Sequence, residues 1–81
     1  MGMMKNVGIA LLEELCFVGP GTRKELWERT QLCQWESFKR VFTVMKVDKM
    51  IEEAPLQQDV KAGLKKFQLT KLGEEFVQSM Q

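Results

Sequence analysis

Phe38, Val41, Phe42 and Met45 fall at positions i, i+3, i+4 and i+7, the spacing that lines one face of a helix. The opposite face of that helix, projected at about 100° per residue, is centred on Glu36, Arg40 and Thr43, with Ser37 and Lys39 on its flanks. A helix with so sharp a division must bury the stripe against neighbouring elements and leave the polar face to solvent or a partner. With 81 residues there is room for one such core and one domain, residues 1–81, in which residues 1–5 are expected to be flexible.

The segments around this helix carry their own punctuation. Val7 to Phe17 places Gly8, Leu11, Leu12 and Leu15 on one helical face, with Asn6 as the candidate N-cap. Gly19-Pro20-Gly21 ends that helix, because proline cannot continue it and glycine permits the left-handed turn that closes it. Thr22 and Glu25 form the capping-box pattern Thr-x-x-Glu, which predicts a short second helix from Arg23 to about Thr30 that buries Leu26 and Trp27. Gln31-Leu32-Cys33 is then the turn into the striped helix.

After Asp48 and Lys49 the pattern changes from helical to extended. Met50 to Leu56 reads as a short strand with Pro55 tolerable only at an edge or end, residues 57–64 as a loop containing Asp59, Lys61 and Gly63, and Lys65 to Leu69 as a second, alternating strand. Thr70 is the cap of a last helix whose stripe is Leu72, Phe76, Val77 and Met80. The expected fold is mainly α with a small β-hairpin, in the order helix, helix, helix, strand, strand, helix.

Composition excludes more than it identifies. The longest apolar run, Val7 to Leu12, falls far short of the roughly 20 residues of a membrane span. Met1-Gly2-Met3-Met4-Lys5 has no secretory pattern, so a cytoplasmic location is expected. With no histidine and only Cys16 and Cys33, the usual zinc sets and every histidine general base are missing, and neither a metal nor a cofactor is expected. Both thiols are read as reduced packing residues. Glu13-Glu14 and Glu74-Glu75 are adjacent on helices and point about 100° apart, so they are solvated faces rather than catalytic pairs. An enzyme is not expected.

The formal net charge is +1, but its distribution is uneven. Between residues 20 and 49, Arg23, Lys24, Arg29, Lys39, Arg40, Lys46 and Lys49 outnumber Glu25, Glu28, Glu36 and Asp48, and Lys61, Lys65, Lys66 and Lys71 follow with no acid among residues 60–71.

In this order, the run from Thr22 to Leu32, the segment Ser37 to Met45, Lys49-Met50-Ile51-Glu52-Glu53 and Phe67-Gln68-Leu69-Thr70-Lys71-Leu72-Gly73 resemble the winged helix-turn-helix family of bacterial, archaeal and phage DNA-binding regulators. The Leu-Thr-x-x-Gly exit from the second strand is the most specific part of the likeness. The resemblance implies a transcription regulator that binds double-stranded DNA, with the third helix in the major groove and the hairpin, the wing, on the backbone or minor groove. It assigns Ser37, Lys39, Arg40 and Thr43 to base edges and phosphates, Arg23 and Lys24 to the backbone, and Lys61, Lys65 and Lys66 to the wing.

Three positions depart from the family pattern. Gln31-Leu32-Cys33 stands where the turn usually carries glycine, Lys49 replaces a glycine, and Glu36 occupies the middle of the reading face. There a carboxylate accepts from a cytosine amino group and otherwise repels phosphate. The alternative is a winged-helix protein-protein interaction module that does not bind DNA. With the DNA-binding reading goes an expected homodimer, since winged-helix regulators often bind two half-sites, and its contact would come from Leu11 to Val18 and Phe76 to Met80. Lys65 and Lys66 can instead be edge lysines that discourage sheet pairing, and Trp35 can pack at the core edge.

Overall fold

The computed structural model describes residues 2–31, 33–55, 57 and 60–80. Leu32 of the expected turn, and Leu56, Gln58 and Asp59 at the end of the expected strand and in the loop, lie outside the described residues. The elements are α1 (Gly2–Phe17), β1 (Gly21–Thr22), α2 (Arg23–Thr30), α3 (Trp35–Val47), β2 (Ile51–Glu53), a single 3₁₀ turn (Ala62–Leu64), β3 (Lys66–Leu69) and α4 (Lys71–Ser79). No described helix is long and apolar enough to cross a membrane.

Helix α2 has the bounds its capping box predicts. The Thr22 amide donates to Glu25 Oε1 at 2.8 Å and the Glu25 amide donates to Thr22 Oγ1 at 3.1 Å, so two otherwise orphaned donors are satisfied. Helix α1 starts at Gly2, five residues before the expected Val7, which puts Asn6 inside the helix and not at its cap.

The strands form one antiparallel sheet in the order β1-β3-β2, not a bare hairpin. The added strand, β1, is too short to show alternation; it exists because Gly21 and Thr22 lie opposite Phe67 and Lys66 of β3. Strand β2 is shorter than expected, and Pro55 falls just past its end, where the missing amide breaks no ladder bond.

Val7, Leu11, Leu12 and Leu15 of α1, Leu26 of α2, and Phe38, Val41 and Phe42 of α3 are buried together with Ile51, Phe67, Leu69 and Val77. Trp27, expected to be buried, is half-buried and donates its indole N–H to the Cys33 carbonyl at 2.9 Å. Met45 is half-buried as well, lying against Gly8 of α1.

Two expectations about packing are corrected. The stripe on α4 divides: Val77 is buried beside Gly73, whereas Leu72, Phe76 and Met80 remain 50%, 37% and 41% exposed. The reason is the seat of Gly73. A Cβ there would lie 2.2 Å from the Met50 carbonyl oxygen, so only glycine allows this approach, and the contact fixes which face of α4 turns inward. Cys16 is exposed instead of packed, because Leu15 takes the inward position on α1 and the next residue points about 100° away. Cys33 is half-buried, and burial raises its thiol pKa.

Gln31, in the turn where the resemblance leads one to expect a glycine, has φ 46°, and Lys49, at another such place, has φ 60°. Both adopt the left-handed conformation that glycine adopts without a Cβ penalty. A residue with a Cβ is thus strained, at both places, into a conformation that favours glycine.

Substitutions at two linked positions should move stability in opposite directions. Gly73→Ala is expected to lower it by about 2–3 kcal/mol through overpacking against a backbone carbonyl, and Lys49→Gly to raise it by about 0.5–1 kcal/mol by relieving the left-handed residue, both measured by urea unfolding. Acid should also act through the capping box. The Glu25 carboxyl is held below its ordinary value of 4.5, first by the Thr22 backbone hydrogen bond, then by the Thr22 side-chain hydrogen bond, with Arg29 and Lys66 adding smaller attractions. Its contribution is present above the unfolded-state pKa and is lost as pH falls through the lowered folded value. Glu25→Gln should therefore flatten that part of the Tm-against-pH curve below about pH 4.5.

Candidate nucleic-acid interface

Helix α3 is placed by its two flanks. Gln31 turns the chain in the left-handed conformation at the end of α2, and the Trp27–Cys33 hydrogen bond pins the connection. Burial of Phe38, Val41 and Phe42 then fixes the rotation of α3 and leaves Glu36, Ser37, Arg40 and Thr43 exposed. This is the polar face that the periodicity predicts. The Thr43 hydroxyl donates to the Lys39 carbonyl one turn back, at 2.9 Å.

A row of aromatic rings runs beneath this surface. Trp27 meets Trp35 edge-on at 5.3 Å between centroids, Trp35 stacks on Phe38 at 6.2 Å, and Phe38 leads to Phe42 and then Phe67 at 6.0 and 4.8 Å. Cations lie over the row. The Arg23 guanidinium is 5.3 Å and the Lys39 ammonium 5.9 Å from the Trp35 ring, while Lys46 is 5.5 Å from Phe67 and 6.0 Å from Phe42. These distances are within the range of cation–π attraction, so the charged groups themselves lie over the ring faces. Trp35 thus packs at the core edge and at the same time supports two cations.

Two depressions adjoin along α3. One, of about 430 Å³, has Trp35, Phe42 and Phe67 in its lining, together with Arg23, Lys24, Lys46, Lys65, Glu53 and Gly63. The other, about 460 Å³ and shallower, is lined by Arg23, Glu36, Lys39, Arg40 and Thr43. Arg23 belongs to both and makes them one strip from the reading face to the base of the wing.

Six of the nine residues assigned from the sequence therefore come together: Arg23, Lys24, Lys39, Arg40, Thr43 and Lys65. Ser37 is exposed on α3 but lines neither depression, and Lys61 is exposed in the wing loop. Lys66 is not on the strip. Strand alternation sets it opposite to the buried Phe67, and its charge acts on Glu25 at the start of α2.

Two carboxylates temper the positive charge. Glu36 pairs with Lys39 at 3.1 Å, and Glu53 on β2 pairs with Lys65 at 3.4 Å. Exposed pairs of this kind add little stability, but they hold each lysine in place.

Sequence reasoning missed Lys46 and Gln57. Lys46 had a readable signal, since it follows Lys39 by seven residues and Phe42 by four and so shares the face of α3 that looks toward the wing. Gln57 had none. Its side-chain amide donates to the carbonyls of Ala54 and Lys66 at 2.7 and 2.9 Å and its oxygen accepts from the Lys66 amide at 2.7 Å, so it closes the base of the wing as a strand residue would.

No family model matches the chain, and no curated protein matches it in sequence. Among solved structures, it is similar to a MarR family regulator from Neisseria meningitidis, with a TM-score of 0.74 and 20% identity over 91% of this chain and 50% of that one. The chain spans about half the length of that structure. At such identity the likeness speaks for the fold, and the fold of this chain is a winged helix-turn-helix, as its sequence resemblance implies.

Proposed function

We propose that this chain binds double-stranded DNA as the winged-helix part of a transcription regulator in the cytoplasm. The observation that carries the reading is the strip itself: Arg23, Lys24, Lys39, Arg40, Lys46 and Lys65 gather along α3 and the wing base of a chain whose net charge is only +1. Helix α3 fits the major groove, where each base pair shows a distinct set of donors and acceptors. Arg23 and Lys24, beside the N-terminal amides of α2, meet phosphate, and Lys61 and Lys65 serve the wing. The likeness to a MarR family regulator supports a regulatory role.

One further observation favours an association surface away from the strip. Leu72, Phe76 and Met80 are exposed on successive turns of α4, and Phe17 and Val18 are exposed at the end of α1. Such a row suits a second copy or another protein partner. Leu11, Leu12 and Leu15 are already buried in the core and take no part.

Titration of labelled duplex DNA over increasing salt tests the DNA reading. Binding should weaken steeply, with a log–log slope of about −0.9 per phosphate contacted, and Lys46→Ala should make that slope shallower by about 1 at equal duplex length. A chain that ignores duplex at about 50 mM salt but loses self-association on Phe76→Asp would be an interaction module instead.

A further inference from the structure

Glu36 is the one acid on the reading face of α3, and its side chain is 76% exposed. Its carboxylate lies 3.1 Å from the Lys39 ammonium, and Lys39, only 35% exposed, is also held over the Trp35 ring. The surface therefore presents an acceptor and a donor side by side at hydrogen-bond spacing. Base pairs present the complement. In the major groove the cytosine N4 amino group and guanine O6 are bonded to each other, so they too stand about 2.7–3.2 Å apart.

We propose that the Glu36–Lys39 pair reads a single C·G base pair, Glu36 accepting from cytosine N4 and Lys39 donating to guanine O6 and N7. This rests on the DNA-binding reading above and deepens it. The A·T pair also sets a donor, adenine N6, beside an acceptor, thymine O4. There the carboxylate would sit next to adenine N7, an acceptor that repels it, and the ammonium would face the thymine methyl group. With C·G the ammonium meets two acceptors and the carboxylate meets none. A·T is therefore rejected, and reversing C·G to G·C faces like with like.

The test is selection of binding sites from a random duplex pool by the unaltered chain, Glu36→Ala and Glu36→Gln, each shown by circular dichroism and melting to be folded. The unaltered chain should select sites with one fixed C·G position. Glu36→Ala should lose discrimination there by on the order of 10-fold or more and leave the other positions unchanged. Glu36→Gln, which offers a donor beside an acceptor, should shift that position toward adenine. Selected sequences that are the same for all three proteins, a loss of preference spread evenly over every position, or duplex binding with no base preference would each overturn this proposal while leaving DNA binding intact. Failure of the unaltered chain to bind any duplex would overturn both.

Discussion

The carbonyl of Met50 joins the parts of this fold that have to agree. It accepts from the Thr70 amide at 3.0 Å, while the Thr70 hydroxyl, which donates to the neighbouring Lys49 carbonyl at 2.5 Å and lies 3.2 Å from that of Met50, accepts from the Gly73 amide at 3.0 Å. Met50 itself donates to the Met45 carbonyl at the end of α3. One residue thus links the end of α3, the start of β2 and the cap of α4. Backbone groups of this kind cannot be left unpaired in an interior without cost, so the knot sets the geometry between α3 and the sheet that carries the wing. It also accounts for Lys49, which accepts a left-handed conformation so that the chain can turn from α3 into β2 at the required place.

Around this frame, the aromatic row and the cations above it relate packing to charge. Phe38 and Phe42 are buried, whereas Trp35 is half-buried and lends its face to Arg23 and Lys39. The same rings that stabilise the core therefore also position positive groups at the surface. Lys46 shows this most plainly, since its ammonium lies over both Phe42 and Phe67 in the depression between α3 and the wing.

How much of this was legible in the sequence depended on whether each feature is local. The capping box at Thr22 located α2, the 3.6-residue stripe oriented α3, and the Leu69-Thr70 exit located α4, because each is written within four to eight residues. The features that were missed are set by partners distant in sequence. Strand β1 exists only through β3, more than 40 residues later. The rotation of α4 is decided at Met50, not by its own apolar residues, and so Leu72, Phe76 and Met80 look like core residues until the Gly73 contact is known. Within the candidate site, the charges on α3 could be read from periodicity, and alternation already opposes Lys66 to Lys65, but which of the two faces the strip depends on sheet register.

Glu36 shows how one side chain can serve two levels of the structure. In the first turn of α3 its negative charge complements the helix dipole, at an N-terminus whose cap residue, Gln34, makes no side-chain hydrogen bond. If α3 meets DNA as proposed, the same charge offsets part of the phosphate attraction that Lys39 offers to any duplex. A surface built only for affinity would place an uncharged residue there. In that proposal, pairing the two groups lowers indiscriminate binding and leaves a directional donor–acceptor couple, which is what separates reading a base from holding a backbone. For a domain of net charge +1, specificity gained in the proposed way would come from restraint on the electrostatic attraction as much as from new contacts.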